Sequence, residues 1–323
     1  MKNLTLRQLR VFTAVARHLS FVRAAEEMHL TPPAVSMQVK ELEAEVGLPL
    51  FDRSGRNVSL TTAGEYLLAY ARKVLATLKD AEDALARFKG VAGGQLTVGM
   101  VSTAKYFMPS LLARFRDEHP GVELRMLLAN REQLVAAMQR GEADLAIMGR
   151  PPKDWATRAE PFALHPHALV TAPGHPFTRM DQVPAAALQG EGFIVRERGS
   201  GTRAAMEEYA AAHHLQLRVV MEMTSNETIK QAVMAGMGVS LLSLHTIALE
   251  LRQGLIATPE VEGLPVMRRW HVVNNLGKLL SPPAEALRYF VLERGESHLA
   301  AMLAGEPGPP AVAAATPDAP SAA

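Results

Sequence analysis

Cysteine is absent from the 323-residue chain. Disulfides and thiolate-held metals are therefore excluded, and a reducing compartment suits the chain without being required by it. No apolar run approaches the ~18 residues a membrane-crossing helix needs. Met1–Arg10 is amphipathic and has no apolar stretch ahead of a small-residue cleavage site, so a secretory leader is not expected and the cytoplasm is. An excess of one charge is missing too. Lys and Arg number 34 against 33 Asp and Glu, so bulk charge alone does not point to nucleic acid. Signatures of catalysis are lacking: there is no Walker loop, dinucleotide fingerprint, Ser-His-Asp pattern or carboxylate pair, and neither an enzyme nor a cofactor is expected. The histidine pairs His165/His167 and His213-His214 have no carboxylate at a matching spacing. They read as ordinary core or surface histidines, and no metal site is expected.

What the chain does have is a change of texture. The length leaves room for two or three domains. Up to about residue 89 the sequence reads as helix. After Gly90-Val91-Ala92-Gly93-Gly94, a hinge-like break, β and α segments alternate. From Gly305 to Ala323 Pro and Ala dominate without periodicity, the mark of a disordered tail.

Residues 1–64 hold eight Lys/Arg against six Asp/Glu, a small cationic surplus that one face can concentrate. The pattern predicts a helix over about Thr5–Arg17, with Leu6, Leu9, Phe12, Thr13 and Ala16 facing inward. A short helix follows N-cap Ser20 and buries Phe21, Ala24, Ala25 and Met28. Thr31 caps a third helix whose first turn holds Pro32 and Pro33, where backbone N–H groups have no partner anyway. Val35, Val39, Leu42 and Val46 make its buried stripe, and Gly47 ends it. Pro33, Ser36, Met37 and Lys40 are left on the outer face. A helix start of this kind, in a helix-turn-helix, enters the major groove. Ser20, Arg23, Thr31 and Pro32 complete the candidate set around it. The stretch Asp52–Thr61 then reads as a hairpin wing whose Arg53 and Arg56 can clamp phosphates or enter the minor groove. Each feature alone fits an inert bundle; their order and spacing together argue for a DNA reader.

A long helix is predicted over Thr62–Lys89. Leu67, Ala71, Val74, Leu78, Ala81, Leu85 and Phe88 alternate at spacings of four and three, the seam of a two-helix coiled coil. A helix packed on its own domain is the plainer alternative. A homodimer would give paired readers and spaced half-sites.

The run Ser20-Phe21-Val22-Arg23-Ala24-Ala25-Glu26 through His29-Leu30-Thr31-Pro32-Pro33-Ala34-Val35-Ser36 resembles the LysR-type transcriptional regulators. Leu42-Glu43, Gly47, Leu50-Phe51, Arg53, Arg56 and Leu60-Thr61-Thr62-Ala63-Gly64 continue the match. Two positions depart from it. Many members carry Gln where this chain has Pro32 and Arg where it has Met37, so bidentate base readout is lost at both. Ala34–Lys40, Thr224–Val233, Met234–Ser240 and Arg269–Val273 further resemble the subgroup that regulates Calvin-cycle (RuBisCO) operons. The resemblance implies a multidomain α plus α/β protein. It would have a winged helix-turn-helix at 1–61, a linker helix at 62–90, and a two-lobed, periplasmic-binding-protein-like effector domain at 91–304. Lobe I would take about 91–163 and 268–304, lobe II about 164–267. It also implies double-stranded DNA, a dimer or dimer of dimers, a small effector, and RNA polymerase as a further candidate partner.

The βαβαβ rhythm by itself shows only an α/β fold; the two-lobed layout is what the resemblance adds. Strands are predicted at Gln95–Val101, Val122–Leu128, Ala143–Met148, Phe193–Val195, Val219–Met223 and Trp270–Asn274, with helices between them and at Ala284–Glu293. Ligands of such sheets bind beyond strand ends, at helix starts. Three starts offer hydroxyls and free N–H groups to an anion: Ser102-Thr103; Arg196 to Arg203, with Ser200, Gly201 and Thr202; and Thr224 to Glu227, with Asn226. Ordinary capping is the competing reading at each, and Thr224 with Glu227 forms a capping box on paper. Asp144 reads as structural. If the subgroup resemblance holds, a phosphorylated sugar or reduced nicotinamide nucleotide is implied; a small carboxylate is the alternative. A two-lobed solute-binding protein shares the fold, but would need a leader or anchor and no DNA head.

Overall fold

Thr5 opens the first helix by reciprocal capping. Its Oγ1 accepts from the Gln8 backbone at 3.2 Å, and its own N–H donates to Gln8 Oε1 at 3.0 Å. The computed structural model describes residues 4–53, 58–86 and 94–305 and divides the chain into two units, Met1–Leu85 and Ala86–Ala323. Arg56, Phe88, the Gly90–Gly93 break and the tail from residue 306 lie outside the described residues.

In the first unit, α1 (Leu6–His18), α2 (Phe21–Glu27) and α3 (Pro32–Val46) enclose one core. Ala24 and Ala25 are buried between α1 and α3, and their lack of bulk lets the helices cross closely. Val35, Val39 and Leu42 are fully buried, as the stripe predicts, whereas Leu6 is exposed. Gly47 ends α3 in the left-handed region at φ 77°. Strands β1 (Phe51–Asp52) and β2 (Ser59–Leu60) pair antiparallel to form the wing.

Helix α4 (Thr62–Ala86) leaves the wing through the Leu-Thr-Thr-Ala-Gly run. Thr61 Oγ1 donates to the Pro49 carbonyl at 2.7 Å and accepts from the Gly64 backbone at 3.0 Å. Gly64 crosses so close to the chain before β1 that a Cβ there would collide with the Leu50 carbonyl oxygen. One expectation is corrected here. The first part of the expected seam serves the head's own core: Ala71 is buried beside Leu68, and Leu67 packs partly against them. Among the described residues, the large apolar side chains left exposed on α4 are Tyr66, Tyr70, Val74 and Leu85.

The second unit is the expected two-lobed α/β fold. One sheet runs β4 (Val122–Ala129), β3 (Gly94–Val101), β5 (Leu145–Met148), β10 (Val266–Asn275), β6 (Thr157–Val170), β9 (Ser240–Ser243). β3, β4 and β5 are parallel, with α5 (Met108–Glu118) and α6 (Arg131–Gln139) between them. β6 and β10 are antiparallel to each other and pass through both lobes. The second lobe adds the parallel pair β7 (Gly192–Arg196) and β8 (Arg218–Met223), which Val239 stitches to the run before β9. α7 (Gly201–Ala212), α8 (Asn226–Met234) and α9 (Leu244–Arg252) cover it. α10 (Pro282–Ala304) returns to the first lobe and continues three turns beyond the predicted Glu293. Nothing before Gly305 breaks it, and Gly305 ends it at φ 82°.

Two local readings change. The helix expected from Ser102 is a single 3₁₀ turn, Ala104–Tyr106, followed by α5, because Phe107 leaves helical geometry and Pro109 suits a new first turn. The cap of α8 is Ser225, not Thr224, so the Thr224–Glu227 capping box does not form. Asp144 is structural as read: it accepts from the Thr97 backbone at 2.8 Å and pairs with Lys278 at 3.1 Å.

Gly64→Ala is expected to destabilise the head by about 1–3 kcal/mol or more through backbone overpacking. Calorimetry should show the head's transition lowered, with the transition of the second unit unmoved.

Candidate functional site

The carboxyl ends of β3, β4, β5 and β7 converge on one pocket. Ser102 and Thr103 reach it from the end of β3, and Ser200, Gly201 and Thr202 from the start of α7. Ser200 is the N-cap of α7 but makes no side-chain cap bond, so its hydroxyl remains available at the positive end of a 12-residue helix.

Arg196 ends β7 and is almost wholly buried. It donates from Nε and one Nη to the two oxygens of Glu197 at 2.8 and 2.9 Å, to Asn226 Oδ1 at 2.6 Å, and across the cleft to Ser102 Oγ at 3.1 Å. Arg268 lines the opposite wall from β10, donating to the Gly201 carbonyl at 2.8 Å and pairing with Glu208. Arg131 enters from the first turn of α6 and is oriented by two backbone carbonyls, those of Arg150 and Pro151. Burial and the neighbouring Arg150 charge lower its pKa, so it gains from any anion brought near. Among the described residues, no Asp or Glu lines the pocket.

Of the residues expected at an effector site, Ser102, Thr103, Arg196, Ser200, Gly201 and Thr202 meet there. Three do not. Arg203 turns outward to Glu207 at 2.8 Å and Glu222 at 2.6 Å. Asn226 stands behind Arg196 and orients it. Glu227 crosses to the first lobe, where it accepts from the Tyr106 hydroxyl at 2.5 Å and lies 3.8 Å from Lys105. Sequence reasoning missed Arg131, Arg150, His165, His167 and Arg268. Arg131 could have been found, since Asn130 and Gln133 form a capping box at a fourth strand-to-helix junction. Among the described residues no group of His, Asp and Glu is arranged to hold a metal ion.

In the head, Thr31, Pro32, Pro33, Met37 and Lys40 are exposed along the start of α3, and Ser36 is half-buried among them. Thr31 is the N-cap without a side-chain bond, which leaves its hydroxyl free for a phosphate. Ser20 is occupied at 3.4 Å by the backbone of exposed Arg23. Arg53 is held in the head, pairing with Glu43 at 3.0 Å and lying over the Phe21 ring at 4.9 Å. Glu43 also accepts from the Leu50 and Phe51 backbone at 2.9 and 3.2 Å, so one carboxylate sets the wing's root.

Winged head and strand-end pocket define a ligand-responsive DNA-binding regulator, and the chain belongs to the LysR family. Residues 6–65 match the bacterial regulatory helix-turn-helix protein model of the lysR family, and residues 89–296 the LysR substrate binding domain. The chain is 50% identical over 308 residues to the transcriptional regulator CfxR of Cupriavidus necator, covering 95% of this chain and 96% of that one. It is 47% identical over 290 residues to a RuBisCO operon transcriptional regulator of Allochromatium vinosum, covering 90% and 96%. Among solved structures, the regulatory domain of Synechocystis CcmR in complex with 2-PG is 37% identical with a TM-score of 0.60, covering 62% of this chain and 96% of that one.

Lys40 is exposed, and no ion pair of it appears among the described residues. Lys40→Ala should weaken duplex binding about equally on all sequences and lower the salt slope by about one. An unchanged slope in a salt titration would remove Lys40 from the phosphate contacts.

Proposed function

We propose that the chain regulates transcription of carbon-fixation genes, as an activator, in response to a small anionic metabolite. The observation that carries the effector reading is the pocket's charge: Arg131, Arg150, Arg196 and Arg268 line it with no carboxylate among them. The pocket is narrow, a cavity of about 20 Å³, little more than a single water needs. A short phosphorylated or carboxylated metabolite asks less opening of so narrow a site than a dinucleotide does. The RuBisCO operon regulator supports the choice of target, and the CcmR domain with 2-PG supports a small effector.

Binding at the pocket shifts a population. The anion favours the arrangement in which Ser102 of one lobe and the α7 start of the other both reach it, and that bias changes how subunits pair and how heads are spaced on DNA. The dimer forms through α4, on the stripe of Tyr66, Tyr70, Val74 and Leu85, with Leu78 and Ala81 between them. Dimers pair in turn, and RNA polymerase reads the resulting DNA geometry. The working divisions are 1–61 for the reader, 62–90 for the pairing helix and 91–304 for the effector domain.

Thr202→Ala with Arg131→Ala should leave affinity for the promoter of a RuBisCO operon within about twofold, while 2-PG binding falls tenfold or more, the loss of one charge-assisted contact being about 1.5–3 kcal/mol. Footprinting with and without 2-PG checks it, and a variant that still responds would overturn the pocket assignment. Val74→Glu with Leu85→Glu should yield monomers by light scattering and cut promoter affinity at least tenfold. A dimer that survives both charges would place the interface elsewhere.

A further inference from the structure

Two histidines face the pocket from β6. His165 and His167 are two residues apart on one strand, so their side chains point to the same side. Both are buried, at 4% and 1% exposure. His165 is held in place by stacking on Trp270, with ring centroids 3.8 Å apart and planes at 18°. Gly149 makes room for it, since a Cβ there would come within 2.6 Å of His165 Nδ1. Both ring nitrogens of His165, and Nε2 of His167, have no hydrogen-bond partner in the protein. His167 Nδ1 lies 3.2 Å from the His165 carbonyl oxygen. A buried imidazole with its polar atoms aimed into a pocket is poised for a ligand.

The charges around the pair come from every wall. β10 contributes Arg268 and His271, α9 contributes His245, β7 contributes Arg196, α6 contributes Arg131, and the turn after β5 contributes Arg150; β9 contributes only the uncharged Ser243. The nearby carboxylates Glu197 and Glu208 are engaged by Arg196 and Arg268. Burial, with Arg268 second, holds His167 down to about 3. Burial and then the His167 charge keep His165 well below the usual range. Both rings are therefore neutral near pH 7 in the unliganded pocket.

We propose that an anion entering this pocket is bound together with one proton, taken up at the His165–His167 pair, so that effector affinity rises as pH falls. The inference rests on the reading of the pocket as an anion site. Arg196, Arg268 and Arg150 already have Glu197 and Glu208 as partners, so a doubly charged ligand brings negative charge that Arg131 and an imidazolium can share, and an imidazolium can donate to it where a neutral ring offers one N–H at most. The ring centroids are 4.2 Å apart, so a second proton would face the first and one proton is the expected uptake. The sign follows from linkage. The liganded pocket holds the proton more tightly than the empty one, so affinity is highest at low pH and falls as pH rises. The fall runs from about 3, where the empty His167 titrates, up to the raised value of the liganded pair. Full uptake corresponds to about tenfold in affinity per pH unit. The regulator would then read acidity and metabolite through one site.

Sulfate is the probe, because it stays doubly charged throughout the range and contributes no proton of its own. Calorimetry on the full chain at pH 5.5, 6.5 and 7.5, in buffers of different ionisation enthalpy, should give close to one proton taken up per sulfate at the acid end and affinity falling toward tenfold per unit. Arg131→Ala should weaken sulfate at every pH with the slope retained, which marks the pocket as the site measured. His165→Gln with His167→Gln should flatten the slope; if that variant does not fold, the proton count on the unaltered chain still decides. Sulfate bound with no proton uptake and a flat pH profile overturns the proposal while leaving the anion pocket standing. Binding of neither sulfate nor 2-PG at any pH overturns the pocket reading, and the proposal with it.

Discussion

A guanidinium that has left water must have its charge and its N–H groups answered by the protein, and in this chain one such group organises the effector unit. Arg196 is buried at the end of β7. Glu197 answers its charge, Asn226 fixes one side of its fork, and Ser102 from the other lobe accepts from the remaining side. Stripping away any of these leaves a buried donor or charge uncompensated, a cost of several kcal/mol. The end of β3 is thereby tied to the end of β7, and the space between them becomes a pocket with a defined floor. Arg268 does the same for the start of α7 through the Gly201 carbonyl. These two arginines spend most of their donors on protein. Under the proposed reading, recognition of a ligand would fall mainly to Arg131, to the hydroxyls of Ser102, Thr103, Ser200 and Thr202, and to the imidazoles.

The head is organised by an opposite charge. Glu43, late in α3, takes the backbone of Leu50 and Phe51 and the side chain of Arg53. The root of the wing is thus mounted on α3, the helix proposed to read the groove. The groove-facing start of α3 is chemically plain, with Pro32 and Met37 where stronger hydrogen-bonding side chains could stand. Under the proposed reading Thr31, Ser36 and Lys40 would carry the polar contacts there, and Met37 would offer a thymine methyl an apolar surface. A guanidinium already partnered by Glu43 brings less free charge to a phosphate than Lys40 does.

What was legible in the sequence was what one residue decides locally. Thr5, Ser20 and Gly47 fix helix ends by their own chemistry, and the stripe of Val35, Val39 and Leu42 needs only a period of 3.6. The strand-end rule found Ser102, Thr103, Ser200 and Thr202 because a parallel sheet always opens there. It failed for Arg203, which Glu207 one turn along α7 draws away from the pocket, a pairing the sequence offered, together with Glu222, which only the tertiary fold brings close. It failed for His165 and His167 because nothing in a run of β residues says which face will line a cleft. The heptad seam was read as one stripe for a related reason, although Leu67 and Ala71 belong to the head's own core. A helix that serves its own domain and a partner carries two stripes, and the spacing of Leu67 and Ala71 does not say which is which.

The lobes are joined by β6 and β10, and these strands are paired with one another across the junction, with a register shift between Trp270 and His271. A connection of this kind behaves as a strip. Stretching or splaying it would break ladder hydrogen bonds, while twisting it asks only a few degrees of each residue, in the sense strands already favour. The compliant motion of one lobe against the other is therefore torsion about the strip's long axis. A signal received at the pocket would leave the effector unit as a turn of one lobe, like the output of a torsion spring, with the direction of turn set by the handedness of the strands.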